Sequence, residues 1–93
     1  MVQNKHPNDL ILYRLRMGFS RKYVAGLLQH KNTSLLSKLE EGLALPSLVT
    51  ALKLAVIYRI PVDFLYSQQY RSLRDQIRSQ ESKLRKPKQA TLF

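Results

Sequence analysis

The sequence predicts an all-α fold: a compact bundle of five short helices, the last extended into a long C-terminal helix. Three observations lead there. Apolar residues recur at spacings of three and four through most of the first 66 positions, as in Val24, Leu27 and Leu28. The apolar runs follow residues that cap helices, and two are followed by glycine, Gly18 and Gly42. The prolines at 7, 46, 61 and 87 all fall between runs or at a run's start.

In chain order, residues 1–6 are polar and expected to fray. A first helix is expected over 9–17, with Asn8 or Asp9 as cap and a stripe of Leu10, Tyr13 and Met17. Gly18 ends it. A second spans 21–28 with Ser20 as cap; Gly26 inside it costs about 1 kcal/mol against alanine. A third spans 33–41, capped by Asn32 or Thr33. Leu36 and Leu39 face inward and Gly42 takes the left-handed position after it. A fourth spans 48–58 behind Ser47, with Leu48, Ala51, Leu52, Ala55 and Val56 as its apolar stripe. Pro61 opens the last helix, expected to run unbroken over 62–84. Along it Tyr66, Tyr70, Leu73, Ile77 and Leu84 form a heptad-like stripe with a polar gap at Gln80. Residues 87–93 are expected to be a disordered tail.

The bulk properties restrict function. Ninety-three residues make one small domain with a limited core, poorly suited to a deep active site. Cysteine is absent, so disulfides and thiolate metal sites are excluded. No apolar run approaches 18 residues, and the N-terminus has no apolar stretch, so neither a membrane span nor a secretory signal is expected. The expected location is the cytoplasm. The charge is more telling: sixteen Lys and Arg against six Asp and Glu give +10. Residues 1–66 carry nine basic and four acidic groups, and residues 67–93 seven and two, so each part is +5. Such a balance points to a polyanion, nucleic acid first.

The residues from Phe19 to Gly42 concentrate this signal. The outer face of the third helix, Thr33, Ser34, Ser37 and Lys38, is short, polar and uncharged or basic. That suits a helix pressed onto an anionic surface. The chain resembles the helix-turn-helix regulators of the lambda-repressor/Cro type, the XRE family. The resemblance rests on Arg14, Gly18-Phe19-Ser20, Val24-Ala25, Leu36-Ser37-Lys38-Leu39-Glu40, Gly42, Pro46-Ser47-Leu48, Leu52 and Ala55, and on the helix opened by Pro61. It covers Leu10 to Leu65. It implies a lambda-repressor-like DNA-binding domain whose third helix enters the major groove, and a structural pair between Arg14 and Glu40. Arg21 stands where the family usually has glutamine, and Gln29 where glycine often opens the turn. The turn is also one residue longer than the commonest version, through His30-Lys31-Asn32.

The expected organisation is a DNA-binding domain over 1–66, its helix-turn-helix at about 20–41, and a helical extension over 67–86. Expected base contacts are Thr33, Ser34, Ser37 and Lys38, with Leu35 beside them. Expected phosphate contacts are Ser20, Arg21, Lys22, Lys31 and Asn32. Tyr66, Tyr70, Leu73, Ile77 and Leu84 are candidate dimerisation residues, set against the alternative that they fold back on their own domain. Tyr13, Tyr23, Tyr58 and Phe64 are expected in the core or at its edge, with Tyr23 the one able to face outward. An enzyme is not expected: His6 and His30 are far apart and carboxylates are few, so no metal or cofactor site assembles. The expected partners are double-stranded DNA and a second copy, with a further protein through 66–86 as an option and no membrane. The competing functions are an antitoxin of a toxin–antitoxin pair, a protein-interaction adaptor without DNA, and a basic membrane-surface helix at 66–88.

Overall fold

The structure, a computed structural model, describes residues 5–85. The expected tail over 87–93 lies outside them. Among the described residues there are six helices and no strand: α1 (Leu10–Arg16), α2 (Arg21–Leu27), α3 (Ser34–Glu40), α4 (Leu48–Tyr58), α5 (Val62–Leu65) and α6 (Ser67–Leu84). The first four lie within one residue of the expected bounds.

Local chemistry explains the starts. Ser20 Oγ accepts from Tyr23 N–H at 3.0 Å, and Ser47 Oγ accepts from Thr50 N–H at 3.1 Å. Asn8 Oδ1 accepts from Leu10 N–H at 3.0 Å, and Asn32 Oδ1 from Ser34 N–H at 2.9 Å. Neither Asp9 nor Thr33 caps with its side chain.

The first four helices end alike. After each, one residue turns left-handed and two successive N–H groups reach back into the last turn. Gly18 and Phe19 bond Leu15 and Arg14; Gly42 and Leu43 bond Leu39 and Lys38. Gln29 and His30 bond Gly26 and Ala25; Arg59 and Ile60 bond Val56 and Ala55. Glycine fills the turning position twice, at φ 74° and 77°, but Gln29 (φ 63°) and Arg59 (φ 57°) adopt it with a full side chain. The left-handed conformation costs a side-chain residue about 1–2 kcal/mol. The α2 end is therefore mismatched twice, since Gly26 lies inside the helix and a Cβ added there meets nothing within 4 Å. Gly26→Ala and Gln29→Gly are each expected to stabilise the domain by about 0.5–1 kcal/mol, a rise in Tm of a few degrees. Thermal unfolding followed by circular dichroism measures both; a fall in Tm for either would contradict the account.

The core is one cluster of Leu10, Val24, Leu28, Leu36, Leu39, Leu54, Tyr58 and Leu65. Burying each is worth about 1.5–3 kcal/mol. Tyr13, Met17, Phe19, Ala55, Ile57 and Tyr66 pack at its edge. Burial pushes the Tyr58 and Tyr66 phenols up to about 12, with the Glu40 carboxylate adding to the effect at Tyr58. Tyr23 and Phe64, by contrast, are half-exposed.

Three expectations are corrected. The core face of α4 is Leu54 and Tyr58 flanked by Ala51, Ala55 and Ile57, not the stripe starting at Leu48. Leu48 and Val56 are 73% and 75% exposed, and Leu52 is half-exposed. The sequence LVTALKLAVIY is apolar almost all round, so periodicity could not select the face. With Leu27, which also points outward, Val49, Leu52, Val56 and Ile57 instead line an open apolar groove of about 520 Å³ that includes Lys53. Second, the helix expected over 62–84 breaks at Tyr66 (φ −126°, ψ 52°). Leu65 C=O, which a continuous helix would offer to Gln69, accepts from Asp9 N–H at 2.9 Å. Third, Tyr66 does not head an exposed stripe. It packs on its own domain, and its hydroxyl is buried without a hydrogen-bond partner among the described residues.

Beyond the break, α6 contacts α5 and contributes no buried residue. It accounts for the elongated outline, 54 × 34 × 21 Å.

Candidate nucleic-acid interface

The interface is built on α3. Leu36 and Leu39 are fully buried and fix which side of the helix faces in. Ser34, Leu35 and Lys38 consequently face solvent, and Thr33 and Ser37 are half-buried beside them. Of the four expected base readers, two are thus fully presented and two stand at the rim. Leu35 joins them as an exposed apolar side chain, of the kind that meets a thymine methyl.

Beneath this face lies Glu40, whose side chain is fully buried. Its carboxylate accepts from Arg14 Nε at 2.6 Å and from Arg14 Nη2 at 3.4 Å. Arg14 also donates from Nη1 to Phe19 C=O at 3.1 Å, tying α1 to the entry of α2. A second arginine, Arg21, donates from Nε to Glu40 Oε1, the oxygen that also accepts from Arg14 Nη2, at 2.8 Å. That hydrogen bond, reinforced by the Glu40 charge, raises the Arg21 guanidinium above its already high range. The buried acid therefore joins α1, α2 and α3.

Arg21 was expected to contact phosphate. Its Nε is committed to Glu40, yet its side chain is 45% exposed, which leaves the outer part of the guanidinium facing solvent. Lys22, Lys31 and Asn32 are exposed. Ser20 and Asn32 each use one side-chain oxygen in capping, which leaves the Ser20 O–H and the Asn32 amide to donate. Tyr23 is exposed beside them, its ring 4.8 Å from that of Phe19. His30, in the turn, is half-buried, and its Nδ1 has no hydrogen-bond partner. From Gly18 to Leu39 the chain holds four cations and no acid.

One element escaped the sequence reading. The segment before α1 is strapped across the far end of α3. His6 N–H donates to Gly42 C=O at 3.0 Å, and Asn8 Nδ2 donates to Leu39 C=O at 2.8 Å and to His6 C=O at 2.9 Å. Asn8 thus starts α1 with its oxygen and closes α3 with its nitrogen. Asparagine is suited to this because it carries both a donor and an acceptor, but Asn8 read only as a local cap.

A helix-turn-helix family model matches residues 10–65, more than half of the chain. The chain belongs to the lambda-repressor/Cro-type (XRE) helix-turn-helix family. The match spans α1–α5, and the family is one of DNA-binding regulators. No curated protein and no solved structure matches the chain. Among the described residues no helix is long and apolar enough to cross a membrane.

Proposed function

We propose that this helix-turn-helix protein is a sequence-specific regulator of transcription. It acts in the cytoplasm as a homodimer, with α3 in the major groove of double-stranded DNA and α2 crossing the backbone. Thr33, Ser34, Ser37 and Lys38 meet base edges. Ser20, Arg21, Lys22, Lys31 and Asn32 hold phosphates, and α6 joins the two copies. The observation that carries the reading is the charge around α3: four cations and no acid from Gly18 to Leu39, with Glu40 buried and neutralised by two arginines and Glu41, at the C-terminal end of α3, the exposed acid that follows. A face so composed gains from a polyanion, because neutralising its phosphates releases their condensed counterions. Occupying DNA excludes other proteins from it, so the bound dimer represses wherever its site overlaps a promoter.

Selection of bound sequences from a random DNA pool tests this directly, with a pseudo-palindrome as the expected result. Contact with about 3–5 phosphates per subunit gives a slope of about −5 to −9 for log K against log salt. Affinity that hardly changes between low and moderate salt would rule the mechanism out.

A further inference from the structure

Helix α6 has eighteen residues, about 27 Å, yet nothing covers its apolar stripe among the described residues. Tyr70, Leu73, Ile77 and Leu84 are 49–72% exposed. Most helical stability in proteins comes from packing an amphipathic face, and a surface laid on this stripe would supply it.

We propose that α6 pairs antiparallel with α6 of a second copy, in the register that sets Leu73 of each copy against Leu84 of the other. The proposal rests on the dimeric DNA-binding reading above and specifies how the dimer is made. Leu73, Ile77, Gln80 and Leu84 occupy the inward positions of a heptad seam. Arg74 and Glu81 flank one side of the seam; Gln76 and Lys83 flank the other. In a parallel pair the flanking partners are Gln69 with Arg74 and Gln76 with Glu81, so charge contributes nothing. In the antiparallel pair each flank meets its own kind, and Arg74 of one copy faces Glu81 of the other, twice. Arg74 is free to do so: its Nε bonds neighbouring Asp75 at 3.1 Å in an exposed contact. Sliding the pair by one heptad, so that Leu73 meets Ile77, would set Arg74 against Arg74. The polar gap also finds a role. In the proposed register Gln80 faces Ile77 of the second copy, and the two Gln80 residues stand in adjacent layers on either side of the two-fold axis, about 4.5 Å apart along the pair, so that the two amides can reach each other. A single polar seam residue commonly fixes register in this way.

The axis of this register passes between residues 78 and 79, which sets the two Ser67 residues about 35 Å apart. The pair overlaps only over 73–84, about three helical turns, so its area is at the low end for a stable interface. Dimerisation is then weak in free solution and is promoted by DNA, which holds both copies at high local concentration.

The chain has no cysteine, so introduced thiols report without background. Leu73→Cys and Leu84→Cys proteins are mixed on the selected DNA site and oxidised. The expected product is a mixed 73–84 disulfide dimer, with none from either variant alone, because like positions stand about 16 Å apart along the pair. A dimer from Leu73→Cys alone would mean a parallel pair, overturning the proposal and leaving the dimer reading intact. A two-half-site footprint with no cross-link in any mixture would overturn it too, placing the interface elsewhere. A one-half-site footprint would remove the dimer reading and the proposal together. Arg74→Glu and Glu81→Arg should each weaken dimer assembly on DNA about tenfold, and the double variant should restore it. Failure of the double variant to restore it would also overturn the register.

Discussion

Glu40→Ala is expected to remove about 3–5 kcal/mol of stability, the cost of leaving a buried charge without its partner. The side chain of Arg14 is only 10% exposed. Without the carboxylate its guanidinium keeps one bond, to Phe19 C=O, and has little access to water. Small domains are stable by about 5–15 kcal/mol in total, so such a loss brings this one close to unfolding. Urea unfolding with the m-value held fixed gives the measurement. Arg21→Ala should cost far less, about 0–1 kcal/mol, since that guanidinium is half in water. The contrast between the two separates a buried pair from a surface one. The double replacement Arg14→Met/Glu40→Leu should recover most of the loss, because removing both charges also removes their desolvation. A Glu40→Ala loss below about 1 kcal/mol would show that Arg14 finds water, and that the pair does not hold α3.

The helix starts and ends of this domain were legible because they are local. Ser20, Ser47, Gly18 and Gly42 do their work within three or four residues, and residue type alone reveals it. The inward faces of α1 and α3 were legible too, since Leu10, Leu36 and Leu39 sit among polar neighbours. What was hidden depends on distance or on surplus. The break at Tyr66 follows from a bond between Asp9 and Leu65, which no window over the last helix contains. The Asn8 strap joins positions 31 residues apart. The face of α4 was hidden by having too many apolar residues, so tertiary packing chose Leu54 over Leu52. Around α3, residue type alone raised the expectation of a polyanion. That Arg21 also serves Glu40 could be learned only from coordinates, because the contact links separate helices.

This double duty decides which substitution best tests the DNA reading. Arg21→Glu would place a second carboxylate against buried Glu40, so lost binding could mean only a damaged fold. Lys38 is exposed on α3, and its side chain makes no hydrogen bond or ion pair within the described residues. Lys38→Glu should therefore leave the Tm within about a degree or two, a surface change of at most about 0.5 kcal/mol. Its effect on DNA should be large. A specific base contact is worth about 1–3 kcal/mol, and in a dimer it is lost twice, with an added repulsion from phosphate. The expected loss of affinity is about 100-fold or more at moderate salt, by fluorescence anisotropy on the selected site. Lys38→Gln then distinguishes the kind of contact. If Lys38 reads guanine, the variant relaxes preference at one symmetric position of the site and barely changes the salt slope. If it holds phosphate, the variant weakens all sequences alike and lowers the slope by about one per subunit. Unchanged binding by the folded Lys38→Glu protein would mean that α3 does not face DNA and that another surface of the chain holds it.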